Sequence, residues 1–483
     1  MAIAIRQAEF FMHNLRARMP FRYGMATLTA VPHLLARATI EVDGKAHVGL
    51  AAENLPPKWF VKVADQPYRE ELAAMLHVVE TAFGFAEQLG EQASVFDLWQ
   101  AVYAQQMTWA IDEGYPPLLA NFGVSMAERA AIDAYCRAKD TSFARALHAN
   151  ALGIELSELH KELADAEATD LLPSEPLDRV WVRHTVGLSD PLTDADIPDA
   201  ERVDDGLPQS LASAIEAYGL RYFKIKLCGD VATDGPRLAR IAALLAERSV
   251  TGCRVTLDGN EQFAELGAFA EYWPKLTEAP GVGPIIDATL AVEQPLVRDV
   301  ATGEAVAEAL DDWLGPPMII DESDGLVSSL GSAIDDGYAG GSAKGCKGVI
   351  KAVAHQCLTE YRRRVEPDRP WVFTAEDLAT VGPVGLLEDL AVVAALGIDH
   401  VERNGHHYFK GLASFSDDVQ QAVLAQHGDL YRRHDAGFAT LAINEGALRT
   451  ASVNNAAFGY AISLDLSHLV PLDDWTYESL TDD

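Results

Sequence analysis

The stretch RYFKIKLCGD, Arg221 to Asp230, sets two lysines side by side. Phe223, Ile225 and Leu227 alternate with Lys224 and Lys226, so in a strand the apolar residues share one face and both ammonium groups the other. Like charges at that spacing repel. The chain has only 38 Lys+Arg against 72 Asp+Glu, so cations are scarce in it. A lysine with the ordinary pKa of ~10.4 stays protonated at neutral pH and cannot take a proton. A second cation two residues away, with a metal nearby, disfavours the charged form and turns an ammonium into a base.

Further along, three short β-type runs end in acids: LDGN with Asp258 and Asn260, VEQP with Glu293, and IDES with Asp321 and Glu322. A fourth, GYAGGSAK, ends in Lys344, with Lys347 close behind. Three carboxylates brought to one rim repel strongly in a low-dielectric mouth. A hard divalent cation with oxygen ligands removes the conflict, which points to Mg²⁺, or Mn²⁺. Flanked by lysines, such a centre suits abstraction of a proton next to a carboxylate. Each acid alone could equally cap the helix that follows its strand.

The elements that must hold these residues alternate. Strand-type runs are expected at 180–186, 222–227, 253–258, 289–295, 317–321, 337–344, 371–377 and 400–404, with amphipathic stretches such as DGPRLARIAALLAERS between them. Eight strands separated by helices suggest parallel βα units closing a barrel, whose chemistry collects at the C-terminal strand ends. Before it, residues 1–60 read as strands, with a hairpin turning at Asp43–Gly44, and 68–150 read as helical. The division expected is 1–150 as an N-terminal domain joined by 435–483, a linker over 151–178, and a barrel over 179–434. The stretch GSAKGCKG lacks the Gly-Lys-Ser/Thr of a phosphate-binding loop, which argues against a nucleotide. His406 and His407 have no HExxH partner and read as structural or substrate contacts.

Composition bounds the setting. With 49% hydrophobic and 23% charged residues the chain is globular, and a net charge of −34 argues against nucleic acid or anionic lipid as partner. Five cysteines, an odd number with no CxxC pair, read as free thiols of a cytoplasmic protein. The N-terminus has no apolar core of a signal peptide, and no run is long enough to span a membrane. Barrels of this size often associate, so a homo-oligomer is expected.

The order KIK, LDGN, VEQP, DES and a lysine on the sixth strand resembles the enolase superfamily, in particular its muconate-lactonizing and dipeptide-epimerase branch within the mandelate racemase/muconate lactonizing enzyme family. The resemblance implies an α/β fold: a (β/α)7β TIM-type barrel under an α+β capping domain built from both chain ends. It implies Asp258, Glu293 and Asp321 as Mg²⁺ ligands, with Asn260 and Glu322 bracing them. Lys226 would be the base on one face of a small-molecule carboxylate substrate and Lys344, preferred to Lys347, the acid or base on the other. Lys224 would tune Lys226 and contact the substrate carboxylate. The loops MPFRYG (19–24) and AAENLPPKWF (51–60) fall where such a cap closes, so Arg22, Tyr23, Glu53 and Trp59 are candidate substrate contacts. Arg22 would meet a distal anion, and Trp59 or Phe60, taken as exposed, would cover the site. Glu376, beside Asp377 after the seventh strand, and Glu402 on the eighth are further contacts. The eighth strand, HVERNGHHYF, departs from the acidic DxD signature of dipeptide epimerases. Racemisation or epimerisation, cycloisomerisation and β-elimination by an acid-sugar-type dehydratase remain open, with two rivals: a metal-independent Schiff-base lyase and a non-catalytic ligand-binding barrel.

Overall fold

The computed structural model describes residues 2–480. Three antiparallel strands open the chain, β1 (Ile3–Tyr23), β2 (Ala26–Val42) and β3 (Lys45–Asn54). Asp43 and Gly44 turn the second hairpin with φ of 49° and 76°, the paired left-handed residues that Asp-Gly supplies. Three helices follow: α1 (Tyr68–Gln88), α2 (Val95–Glu113) and α3 (Pro117–Ala138). Ser94 caps α2 by accepting from the Asp97 N–H, and left-handed Gly114 ends it. α3 is buried along almost its whole length, because it packs against the sheet, against α1 and α2, and against the barrel. A Cβ on Gly49 of β3 would lie 2.0 Å from the Ala130 carbonyl oxygen of α3, so only glycine allows that approach.

The barrel has eight parallel strands: β4 (Arg179–Val186), β5 (Tyr222–Lys226), β6 (Arg254–Asp258), β7 (Thr289–Glu293), β8 (Met318–Ile319), β9 (Gly340–Lys344), β10 (Val372–Glu376) and β11 (His400–Arg403). They run in the order β8-β7-β6-β5-β4-β11-β10-β9, and a parallel bridge from Ile320 to Gly341 closes the ring. Helices fill every connection between them, including Val231–Glu247 after β5 and Val349–Val365 after β9. This is the predicted barrel with a separate antiparallel sheet. The glycine-rich sixth strand has a steric cause: a Cβ on Gly340 would sit 1.8 Å from the Val372 carbonyl oxygen.

Residues 151–178, read as a linker, form the short helices Leu156–Leu159, Lys161–Leu163 and Ala168–Leu171, with Leu163 wholly buried and the group packed on Val349–Val365. Apolar residues at 156, 163 and 171 drive that docking. The tail from 435 divides: Ala447–Arg449 pairs antiparallel with β4 of the barrel, while Val470–Pro471 pairs with Phe11 and Met12 of β1 in the cap sheet, where Trp475 and Ser479 also bond Asn14.

Cap and barrel share buried charge. Arg129 of α3, with no exposed surface, donates to Glu388 Oε2 (2.9 Å), Glu53 Oε2 (3.2 Å) and the Ala52 carbonyl (2.8 Å). Its neighbour Glu128 accepts the Val349 N–H at the start of the barrel helix. Burial pushes the Glu128 carboxyl up to about 8, although the Val349 and Ile350 N–H groups, Arg129 and Lys351 pull the other way. An acid raised from roughly 4.3 in the unfolded chain holds a proton only in the folded state between those values. Its contribution to stability therefore declines as pH rises from ~4.3 through about 8. Glu128→Gln is expected to change the melting temperature little at pH 5 and to raise it relative to the parent at pH 9. Calorimetry at both values checks this, and a difference independent of pH would contradict it.

Candidate active site at the barrel mouth

Strand register sets the site. Lys226 pairs with Asp258, Asp258 with Glu293, and Lys344 with Glu376, so their side chains meet at one level of the barrel. Phe223 and Ile225 pack outward into the apolar core, which turns Lys224 and Lys226 inward. After the strand ends the chain turns through left-handed backbone at Asn260 (φ 43°), Glu261 (62°) and Gln294 (36°). Such strain persists where surrounding contacts impose it. Gln294 shows one: its Oε1 accepts the N–H groups of Asp321 (2.9 Å) and Ser323 (3.2 Å), fixing the loop that carries Asp321.

The lysines are not left to repel one another. Lys224 Nζ lies among four carboxylates: Glu293 (2.7 Å), Glu376 (2.8 Å), Glu402 (2.9 Å) and Asp258 (3.0 Å). Lys226 Nζ stands 2.5 Å from Asp258 Oδ2. Lys344 Nζ bridges Asp321 Oδ2 and Glu376 Oε2, both at 3.0 Å, under the ring of Trp59, whose centroid is 4.3 Å away. Burial works against the Lys224 ammonium, but its four acids outweigh it and hold the pKa well above the ordinary lysine value. Lys344 is raised likewise, Asp321 and Glu376 outweighing burial. Burial is also opposed at Asp321, where Lys344, Lys347 and Lys224 keep the carboxyl well below its usual range. At Glu293 burial and the adjacent Glu376 prevail over Lys224 and push the carboxyl well above it. Lys224, expected to tune Lys226, is thus itself compensated by four carboxylates.

These acids fit a divalent cation. Carboxylate oxygens of Glu293, Asp321 and Glu376 lie within 4.8 Å of one another, all buried. Glu293 Oε2 is buried with no hydrogen-bond partner, an acceptor that a cation would satisfy. Of the three expected ligands, Glu293 and Asp321 belong to this group; Asp258 Oδ2 is engaged by Lys226 and Lys224, and Oδ1 accepts the Asn260 N–H. Glu376, placed by sequence among the substrate contacts, is the third acid of the group.

A small cavity opens above the cluster, lined by Lys224, Lys226, Asn260, Lys344, Glu376 and Glu402 from the barrel and by Tyr23 and Trp59 from the cap. Trp59 and Phe60 are 6% and 2% exposed, not exposed covers, because the barrel receives their loop. Arg22 points away, toward Ser189 (3.3 Å), and does not line this cavity. Glu53 is buried at the cap–barrel junction, where it accepts from Arg129 and Thr380. Lys347 lies behind Lys344, bonded to Asp321 Oδ1 (3.0 Å) and Ser342 (3.1 Å). His184, His406 and His407 form a buried group outside the lining. All five cysteines are free, and no described helix is long and apolar enough to cross a membrane.

Sequence reasoning missed a clamp. Lys62 of the cap loop reaches Glu261 (2.6 Å) and Glu322 (3.0 Å), while Arg298 holds Glu261 and donates to the Trp59 and Phe60 carbonyls. Glu322 thus ties the cap down while also accepting from Asn260 Nδ2 (3.0 Å). Arg183, fully buried, supports Glu376 at 2.9 Å. Its place within the strand VWVRHTV, a charge amid apolar residues, is the signal that could have found it.

No protein-family model matches the chain, nor does any curated protein. Solved structures do. A mandelate racemase/muconate lactonizing protein from Herpetosiphon aurantiacus superposes with a TM-score of 0.59 at 16% identity, over 95% of this chain and 99% of that one. A dipeptide epimerase from Enterococcus faecalis V583 gives 0.58 at 13% identity, over 95% and 100%. An enolase from an alphaproteobacterium, bal199, with bound magnesium gives 0.55 at 14% identity, over 98% of each chain. The chain shares their fold, an eight-stranded parallel barrel with a capping domain. At these identities the likeness speaks for the architecture alone.

Lys224→Met is expected to lower the melting temperature in EDTA, since four buried acids lose their shared counter-ion. Mg²⁺ should then restore more stability to the variant than to the parent. Scanning fluorimetry with and without Mg²⁺ measures both, and equal Mg²⁺ shifts in the two proteins would count against a cation site among these acids.

Proposed function

We propose that the protein is a Mg²⁺-dependent enzyme that removes the proton α to the carboxylate of a small molecule, giving racemisation or epimerisation, or cycloisomerisation. One observation carries the reading. Lys226 and Lys344 end the second and sixth of eight barrel strands, half a turn of the ring apart, and both line the same cavity over one carboxylate cluster. A substrate lying between them presents one face to each.

Mg²⁺, or Mn²⁺, held by Glu293 and Asp321 with Asp258 or Glu376 would stabilise the charge that builds on the substrate carboxylate as the α-proton leaves. Lys226 takes that proton on one face, its amine oriented by Asp258 Oδ2. Lys344, kept as an ammonium by Asp321 and Glu376, delivers a proton on the other. Lys224 compensates the acids and stands where a substrate carboxylate would be steered. Asn260 and Glu322 brace the strand ends. A Schiff base on Lys344 would require a neutral amine, which its ion pairs with Asp321 and Glu376 oppose. β-Elimination through a histidine acid has no histidine lining the cavity.

In D₂O with Mg²⁺ the parent enzyme should wash deuterium into the α-position of its carboxylate substrate, followed by NMR, and EDTA should stop it. Lys226→Ala should reduce exchange on one enantiomer by ~10²–10⁴-fold, and Lys344→Ala exchange on the other. Exchange surviving Lys226→Ala unchanged would refute the base assignment. Titration calorimetry with Mn²⁺ checks the metal: Glu293→Gln should weaken binding at least about tenfold, a loss of ~1.4 kcal/mol. Whichever of Asp258→Asn and Glu376→Gln weakens it more identifies the third ligand.

A further inference from the structure

We infer that the substrate is a monocarboxylic acid whose distal end is apolar, neither a second acid nor a polyhydroxy chain; this rests on the carboxylate reading above. The cavity is two-sided. Its barrel side carries every charged lining residue. Its cap side is made of Phe21, Tyr23, Leu28, Pro56 and Trp59, none of them charged. The one hydroxyl among these is spent, since Tyr23 donates to the Pro57 carbonyl at 2.8 Å. Phe21 stacks on Tyr408 and lies against Tyr23, fixing that wall. Leu378 and Ala379, after β10, extend the apolar surface on the barrel side.

The charged lining groups offer nothing to a distal anion. Lys224 is enclosed by four acids, and Lys344 by Asp321, Glu376 and the Trp59 ring. Lys226, beside Asp258, is at the reacting end. Arg22, the cap cation that would have met a second carboxylate, faces a different cavity together with Ser189 and Arg18. The remaining acids are also committed: Asp377 to Arg403 (2.5 Å), and Glu402 to Thr185, Asn404 and Lys224. A distal carboxylate would be desolvated against ring faces without a counter-ion, and distal hydroxyls would lose water at the cap wall, since the unpartnered lining acceptors, Asn260 Oδ1 and Asn404 Oδ1, lie on the barrel side. An alkyl or aryl group would gain burial there.

The test is titration calorimetry on the full-length, Mg²⁺-loaded protein with four probes: hexanoate and 4-phenylbutanoate against adipate and gluconate. The apolar acids should bind at least tenfold tighter than either polar one. Leu28→Arg, which places a cation in the cap wall, should shift the preference toward adipate. Adipate or gluconate binding the parent as tightly as hexanoate overturns the inference, and so does failure of all four to bind; these parent measurements decide even if the variant does not fold. Deuterium exchange is then followed on whichever acid binds. Tight apolar binding without exchange strikes at the α-proton reading and leaves the inference about the cavity standing.

Discussion

Charge compensation below the surface governs this molecule. The register of β5, β6 and β7 puts Lys226, Asp258 and Glu293 in a row, and β9 and β10 set Lys344 beside Glu376. Buried ions at such distances interact far more strongly than they would in water. Each is costly alone and tolerable only when paired. The barrel mouth is therefore a lattice of opposed charges, and outward-facing residues such as Phe223 and Ile225 supply the burial that holds it in shape. Replacing one member changes the balance for all, so these residues act as a unit.

The cap completes that unit by the same means. Lys62 and Arg298 fasten the Trp59 loop to Glu261 and Glu322, residues next in sequence to Asn260 and Asp321. Closing the cap and ordering the acid-bearing turns are thus one structural event. On the far side Arg129 joins Glu53 of the cap sheet to Glu388 of the barrel, which fixes where β3, and with it the start of the 55–62 loop, sits over the mouth.

What could be read in the sequence follows from the range of the contacts. The strand ends were legible because a period of two with a charge on the inward face is local: YFKIK and RVTLD announce their geometry in five residues each. The parity of β1 was legible too and was overlooked. Phe21 and Tyr23 share a face and line the cavity, so Arg22 between them must point elsewhere. Glu53 looked like a pocket residue because of the loop it opens, but its partner Arg129 is 76 positions away. Lys62 and Glu322 are separated by 260 positions, and no local pattern links them. The glycines of β9 hid the sixth strand's character for a related reason: their cause is the close approach of Val372 on the next strand.

Glu376 and Glu402 end neighbouring strands, and two carboxylates side by side in a buried site would ordinarily not both ionise. Here Lys224 touches both and Lys344 adds to its pull on each, so both carboxyls are held below their usual range despite burial. The second lysine of the KIK pair is thus not the reason for the first. Lys224 allows acids from the third, fourth, seventh and eighth strands to share one rim. The residues it holds overlap with those that would bind a cation, Glu293 and Glu376, but Lys224 takes Oε1 of each and leaves Glu293 Oε2 without a partner. A cation accepted by Glu293 Oε2 would thus share its carboxylate with Lys224, which meets Lys226 at their common partner, Asp258 Oδ2.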